Sequence, residues 1–192
     1  MTNVTYADVF RPTLKVPAFV YDITMVIGGS LLIALGAQVS VRLPFSPVPI
    51  TAQTLAVLAV GACLGRRRGA FSVLAYLAQG IAGLPVFAGG MSGLAYLLGP
   101  TGGYLVGFVV AAYITGALAE RGWDRRVGTA FVALLLGTLA LYATGLTWLS
   151  VFTGVKAVLP LGLYPFIPGD LVKIVCATLV LPAGRTFLSS LR

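Results

Sequence analysis

The chain has 192 residues, 58% of them hydrophobic and only 9% charged, and 13 Lys and Arg against 5 Asp and Glu give a net charge of +8. Soluble domains carry about 25% charged residues, so a mean hydropathy of +0.99 excludes a fold that faces water on all sides. The basic residues form short clusters between apolar runs rather than one basic face, which argues against nucleic-acid binding and for the positive-inside pattern of a membrane protein.

A single integral membrane domain over 1–192 is expected. Residues 1–20 contain Asp8, Arg11, Pro12, Lys15 and Pro17 and no apolar core of a signal peptide. They read as a cytosolic lead-in, with an amphipathic segment on the membrane surface as one option. Six segments then approach the ~20 apolar residues that a spanning helix needs. They run from about Tyr21 to Val41, from after Pro49 to Arg66, from Gly69 to about Ala82, from about Thr101 to Ala119, from Val127 to about Leu149, and from near Gly169 to Leu181, before Pro182. The fold class expected is therefore an all-α membrane protein of six transmembrane helices.

The second, third and sixth segments offer only ~14 residues of clean helix, about 21 Å against a hydrocarbon core of ~30 Å. Irregular backbone must fill the remainder, and it is tolerated at that depth only around protein or a water-filled cavity. With the N-terminus inside, the inner segments hold Arg11, Lys15, Arg66, Arg67, Arg68, Arg121, Arg125, Arg126, Arg185 and Arg192, and the outer ones hold only Arg42 and Lys156. That bias puts both termini in the cytosol. The outer connections are then 42–50, 83–100 and 150–168. The stretch from Gly83 to Pro100 carries no charge, which is unlike a solvated loop and suits a lid folded over the bundle.

Asp170 and Lys173, spaced i, i+3, project from one side of the last helix. Facing lipid, each would cost roughly 2.5–3.5 kcal/mol, so they should face inward, either as a pair that pins the helix or as polar contacts to a ligand. Thr51 and Gln53 follow Pro44, Pro47 and Pro49. Those prolines enforce an extended, non-helical plug rather than a strand. Gln53 can donate and accept, which suits a neutral amide or urea, though an interhelical hydrogen bond explains it equally well. A stripe of Gly99, Gly103, Gly107, Ala111, Thr115 and Ala119 marks a close-packing face. Ser30 and Ala34 sit on another small-residue face, for packing within the bundle or for docking a second membrane subunit. Phe87, Tyr96, Tyr104, Tyr142, Trp148 and Tyr164 fall near the outer interface, where aromatic belts are common; Phe87 and Tyr96 stand out because the lid carries them. The Arg66–Arg68 cluster reads as a topology signal, with contact to anionic lipid or an inner partner as the alternative.

Cys63 and Cys176 lie inside apolar runs, and the absence of His leaves no typical zinc ligands. No metal or cofactor is expected. An intramembrane enzyme lacks support, because Asp170 is the only acid away from the inner face and acid–base work needs more groups than that.

Five blocks in one order carry a specific resemblance: 43–51 (Leu-Pro-Phe-Ser-Pro-Val-Pro-Ile-Thr), Gln53-Thr54-Leu55, 83–90 (Gly-Leu-Pro-Val-Phe-Ala-Gly-Gly), 99–104 (Gly-Pro-Thr-Gly-Gly-Tyr) and 165–173 (Pro-Phe-Ile-Pro-Gly-Asp-Leu-Val-Lys). The chain resembles the BioY family, the biotin-specific S components of energy-coupling-factor transporters, over about 22–182. The resemblance implies a six-helix, multi-pass protein of the cell membrane that binds biotin beneath outer loops and performs no covalent chemistry. It implies partnership with a transmembrane coupling subunit and two cytosolic ATPases, with solitary function left open. Asp170 and Lys173 would contact the polar parts of biotin. Thr51, Gln53, Phe87, Ala88, Gly89, Gly90, Met91, Tyr96 and Tyr164 would enclose it, and Ser30 and Ala34 would meet the coupling subunit. Another small vitamin is the alternative ligand.

Overall fold

The structure, a computed structural model, describes residues 5–9 and 17–190, the last four of these as backbone only. Its helices in chain order are α1 (Tyr6–Val9), α2 (Ala18–Gln38), α3 (Gln53–Leu64), α4 (Arg66–Ile81), α5 (Leu94–Leu97), α6 (Gly102–Glu120), α7 (Val127–Thr153), α8 (Val158–Gly162) and α9 (Ile167–Ser190). Among the described residues, four stretches are long and apolar enough to cross a membrane: α2, α6, α7 and Ile167–Thr186 of α9. Phe19, Leu31, Leu35, Val172 and Val180 are more than half exposed on these helices, a surface that hydrocarbon would solvate and water would not. Helices α3 and α4 are shorter, about 18 and 24 Å at 1.5 Å per residue.

Helix α6 sits at the centre, between α7 on one side and α3 and α4 on the other. The small-residue stripe explains that position. A side chain at Gly103 would collide with Trp148, and one at Gly61 would come within 2.6 Å of the Ala112 carbonyl. In lipid there is no hydrophobic drive between helices, so close van der Waals approach carries the association.

Two sequence expectations change. Helix α9 does not stop at Leu181 but runs through Pro182. Beyond that proline, Arg185 donates to Asp124 at 2.6 Å, anchoring the extension against the 3-10 turn Trp123–Arg125. The proline-rich plug is closed at its base by strands after all: β1 (Ser40–Val41) pairs antiparallel with β2 (Ile50–Thr51), while the prolines lie in the loop between them. Within the lead-in, the turn at 5–8 packs against the body of the protein. Thr5 and Ala7 are buried, Arg68 Nη1 reaches Asp8 at 2.7 Å, and the Tyr6 hydroxyl donates to the Leu181 carbonyl. Residues 1–4 and 10–16, with Arg11 and Lys15, lie outside the described residues, as does Arg192.

The 83–100 segment folds back as expected of a lid. A 3-10 turn at Ala88–Gly90 is clasped by a bridge between Phe87 and Met91, and α5 follows. Gly89, Gly90 and Gly93 have φ of 70, 74 and 89°, a region that side chains disfavour, and this lets the chain reverse twice within five residues. The Ser46 hydroxyl donates to the Leu161 carbonyl at 2.7 Å, tying the proline-rich loop to α8. The three long connections thus cover one end of the bundle, at the N-terminal ends of α3, α6 and α9.

Candidate functional site

Beneath those connections lies a narrow cavity of about 50 Å³, smaller than the roughly 300–1,000 Å³ of typical small-molecule sites. It draws on the proline-rich loop (Val48, Pro49), β2 (Thr51), the start of α3 (Gln53, Thr54), α6, α7 and the first turns of α9. Leu105, Phe108, Leu141 and Phe166 make most of the wall apolar. One polar cluster interrupts it.

Asp170 and Lys173 form that cluster's core, as their spacing on one helical face requires. Lys173 Nζ lies 2.8 Å from Asp170 Oδ1, and the two side chains are 18% and 9% exposed. Lys173 also donates to Thr54 Oγ1 at 2.9 Å, and that hydroxyl in turn donates to Asp170 Oδ1 at 3.2 Å. The Tyr142 hydroxyl donates to Asp170 Oδ2 at 2.5 Å. Three helices therefore converge on one carboxylate, and the charge is compensated before any ligand arrives. An unpaired charge here would carry a heavy desolvation penalty.

Of the remaining expected residues, Thr51, Gln53 and Tyr96 line this cavity. Gln53 is buried, and its Nε2 sits beside the buried Tyr76 hydroxyl, but neither makes a hydrogen bond of good geometry. Ala88 and Met91 line a second, outer chamber with Arg42, Leu43, Ser46, Pro47, Pro49 and Tyr96. Phe87 lines neither. It is fully buried, stacked on Tyr96 at 5.1 Å and edge-on to Tyr76 at 5.6 Å, in a notch where a side chain at Gly80 would fall inside its ring. Gly89 and Gly90 shape the lid's turn and line neither chamber, although Gly89 lies against Arg42 of the outer one; Tyr164 is 57% exposed outside both.

Ser30 and Ala34 lie on the inward face of α2. Both are buried, and the Ser30 hydroxyl accepts from Gln79 Nε2 at 3.0 Å. The small face of α2 turns inward because its neighbours need close approach there, and the bulky Ile27, Leu31 and Leu35 point outward instead. This placement favours packing within the bundle over subunit docking for these two residues.

Sequence reasoning missed Thr54, and it read Tyr104 and Tyr142 only as interface aromatics. Tyr104 lines the cavity and donates to the Gly162 carbonyl at 2.8 Å, holding α8 over it. Nothing local marks these residues; their role appears only when α3, α6 and α7 meet α9.

A family model described as the BioY family matches residues 7–190. The biotin transporter BioY of Rhodobacter capsulatus is 44% identical over 165 residues, 79% of this chain and 85% of the relative. That of Rhizobium etli is 42% identical over 161 residues, with the same two coverages. A crystal structure of the S-component for biotin from an ECF-type ABC transporter superposes with a TM-score of 0.71 at 28% identity, covering 88% of this chain and 92% of that one. These relatives are transporters or a transporter component, and none is an enzyme. With four long apolar helices, the chain is an integral membrane protein of that kind, and it belongs to the BioY family.

Proposed function

We propose that this chain captures biotin in the cavity under its lids and delivers it inward as the S component of an energy-coupling-factor transporter. In this reading α3 and α4 join the four long helices as short spans, giving six with both termini cytosolic, in the cell membrane. The Lys and Arg bias supports that orientation, as does the clustering of Arg66, Arg67, Arg68, Arg121, Arg125 and Arg126 at the end of the bundle opposite the cavity.

The single observation that carries the ligand is the hydrogen-bond count at Asp170 and Lys173. The ammonium has three protons and uses two, on Asp170 and Thr54. Asp170 Oδ2 accepts only from Tyr142, so it keeps a lone pair. One spare donor beside one spare acceptor matches the C=O and N–H of a cyclic urea. Gln53 Nε2 adds a second donor in the same cavity. Phe108, Leu141 and Phe166 suit a thiophane ring, and Arg42 in the outer chamber suits the carboxylate of the tail. The count fits a neutral urea better than a cationic vitamin such as thiamine, whose charge would meet Lys173.

The chain has no nucleotide-binding motif, so energy would come from an external coupling subunit and ATPase pair, or uptake would be slow and facilitated. Equilibrium binding to the purified chain in detergent tests the ligand. Biotin should saturate one site below micromolar concentration while thiamine and riboflavin do not bind. No biotin binding at micromolar levels would sink the reading.

A further inference from the structure

Two buried polar groups in the helix layer lie side by side without bonding. Gln53 is 3% exposed and Tyr76 is fully buried. Gln53 Nε2 and the Tyr76 hydroxyl are neighbours, yet neither has a hydrogen-bond partner among the described residues. A buried donor with no acceptor is costly, and a phenylalanine at position 76 would fill the same space without that cost. The hydroxyl therefore calls for a use.

Both residues are held in place. Gln53 is the first residue of α3, where its backbone amide donates to Thr51 Oγ1 at 3.2 Å, and a side chain at Gly36 would come within 3.3 Å of its Cα. Tyr76 is set edge-on against Phe87 at 5.6 Å. What stays free is the terminal amide of Gln53, whose half-turn exchanges a donor end for an acceptor end of similar shape. With Nε2 toward Tyr76, the phenol oxygen can take an amide proton, but the phenol's own proton finds no acceptor among the described residues. With Oε1 there instead, the phenol donates to it. Both Nε2 protons then turn away from Tyr76, toward the inner cavity that Gln53 lines. Only the second orientation satisfies the phenol.

We propose that Tyr76, which does not line the cavity, is a positioning residue: its hydroxyl donates to Gln53 Oε1 and fixes the amide with its N–H edge toward the ligand. The inference rests on the reading that the inner cavity holds the urea of biotin. An unheld amide would present either edge, and one of the two sets a carbonyl oxygen against the urea oxygen. With the amide fixed, Lys173 and Gln53 both offer protons to the cavity, while Asp170 accepts. That asymmetry favours a ligand edge that carries a carbonyl, and Tyr76 maintains it from outside the site.

The test uses the full chain in detergent with Tyr76→Phe, Gln53→Met and the two combined. Tyr76→Phe removes one oxygen atom and leaves the ring in place; Gln53→Met keeps the side chain's length but removes both amide edges. Two readouts are needed. One is equilibrium biotin binding, and the other, which needs no biotin, is the midpoint of thermal unfolding. The expected result for Tyr76→Phe is a loss of biotin affinity of about two- to tenfold that disappears in the Gln53→Met background. The unfolding midpoints should be non-additive in the same sense. An affinity loss of equal size in both backgrounds overturns the proposal, because Tyr76 would then act through packing. Unchanged affinity in Tyr76→Phe overturns it as well. Non-additive unfolding in a chain that binds no biotin supports the Tyr76–Gln53 bond and removes the biotin reading. Biotin binding with additive unfolding does the reverse.

Discussion

Among the described residues two carboxylate–cation pairs are buried, one near each end of the bundle, and their surroundings differ. At the lidded end, Asp170 and Lys173 face a cavity, and after bonding to each other, Thr54 and Tyr142 the pair still has a donor and an acceptor to spare. At the other end, Asp124 is 1% exposed and pairs with Arg185 at 2.6 Å, and the guanidinium lies over the Tyr6 ring at 4.5 Å. Neither residue of that second pair lines the inner cavity or the outer chamber. A planar guanidinium that stacks and forks suits a static joint, whereas a lysine ammonium is a point donor that can be shared with a ligand. On the proposed reading, the same chemistry serves cohesion at one end and recognition at the other.

The comparison can be broken by substitutions at either end. The largest effect should come from Asp124→Ala, which leaves Arg185 buried without its carboxylate. Stability should fall by about 3–5 kcal/mol, read as a drop in the midpoint of thermal unfolding in detergent, with biotin affinity of the folded fraction preserved. Lys173→Ala should reverse that pattern: biotin affinity falls by about 2–4 kcal/mol, roughly 30- to 1,000-fold, by equilibrium binding. If the two variants give the same balance of stability loss and affinity loss, the division of labour is wrong.

A smaller effect is expected at Arg68, which joins Asp8 and Asp22 at 2.7 and 2.8 Å with partly exposed partners. Arg68→Ala should cost about 0.2–1 kcal/mol and release the N-terminal turn, seen as faster hydrogen exchange over residues 5–9. Burial pushes the Asp8 carboxyl up, but the hydrogen bonds from Arg68 and Thr5 outweigh it and hold Asp8 below its usual range. A lowered carboxyl contributes stability above the unfolded value of about 3.9 and loses it as the pH falls through the folded value. Acidification below about pH 4 should therefore loosen the same turn, and the Arg68→Ala chain should lose most of that acid sensitivity. The smallest effect is expected at Tyr164, exposed and outside both chambers. Tyr164→Ala should change biotin affinity by less than about 0.5 kcal/mol.

Much of the lidded site was legible because charge inside an apolar helix has few tolerable explanations. Asp170 and Lys173 had to face inward, and three prolines before Thr51 had to produce irregular backbone at membrane depth. Tyr142 and Thr54 were not legible, since they reach Asp170 across 28 and 116 residues of chain and look locally like any helix residue. Phe87 shows the opposite limit. Its place in the lid suggested a ligand contact, but the notch left by Gly80, a helical residue seven positions earlier, draws its ring into the helix layer. Pro182 read as a helix end because it removes an amide, yet the joint between Arg185 and Asp124 outweighs that loss. Ser30 and Ala34 were identified as a small-residue face, but composition does not say whether such a face turns toward its own bundle or away from it.

The most direct test of the account compares biotin with its ring-opened diamine, which keeps the thiophane ring and the tail but lacks the urea carbonyl. If Lys173 and Asp170 read the urea edge, the purified chain should bind biotin and lose at least about 100-fold in affinity for the diamine, roughly 2.7 kcal/mol. Equal affinity for the two compounds would contradict the account.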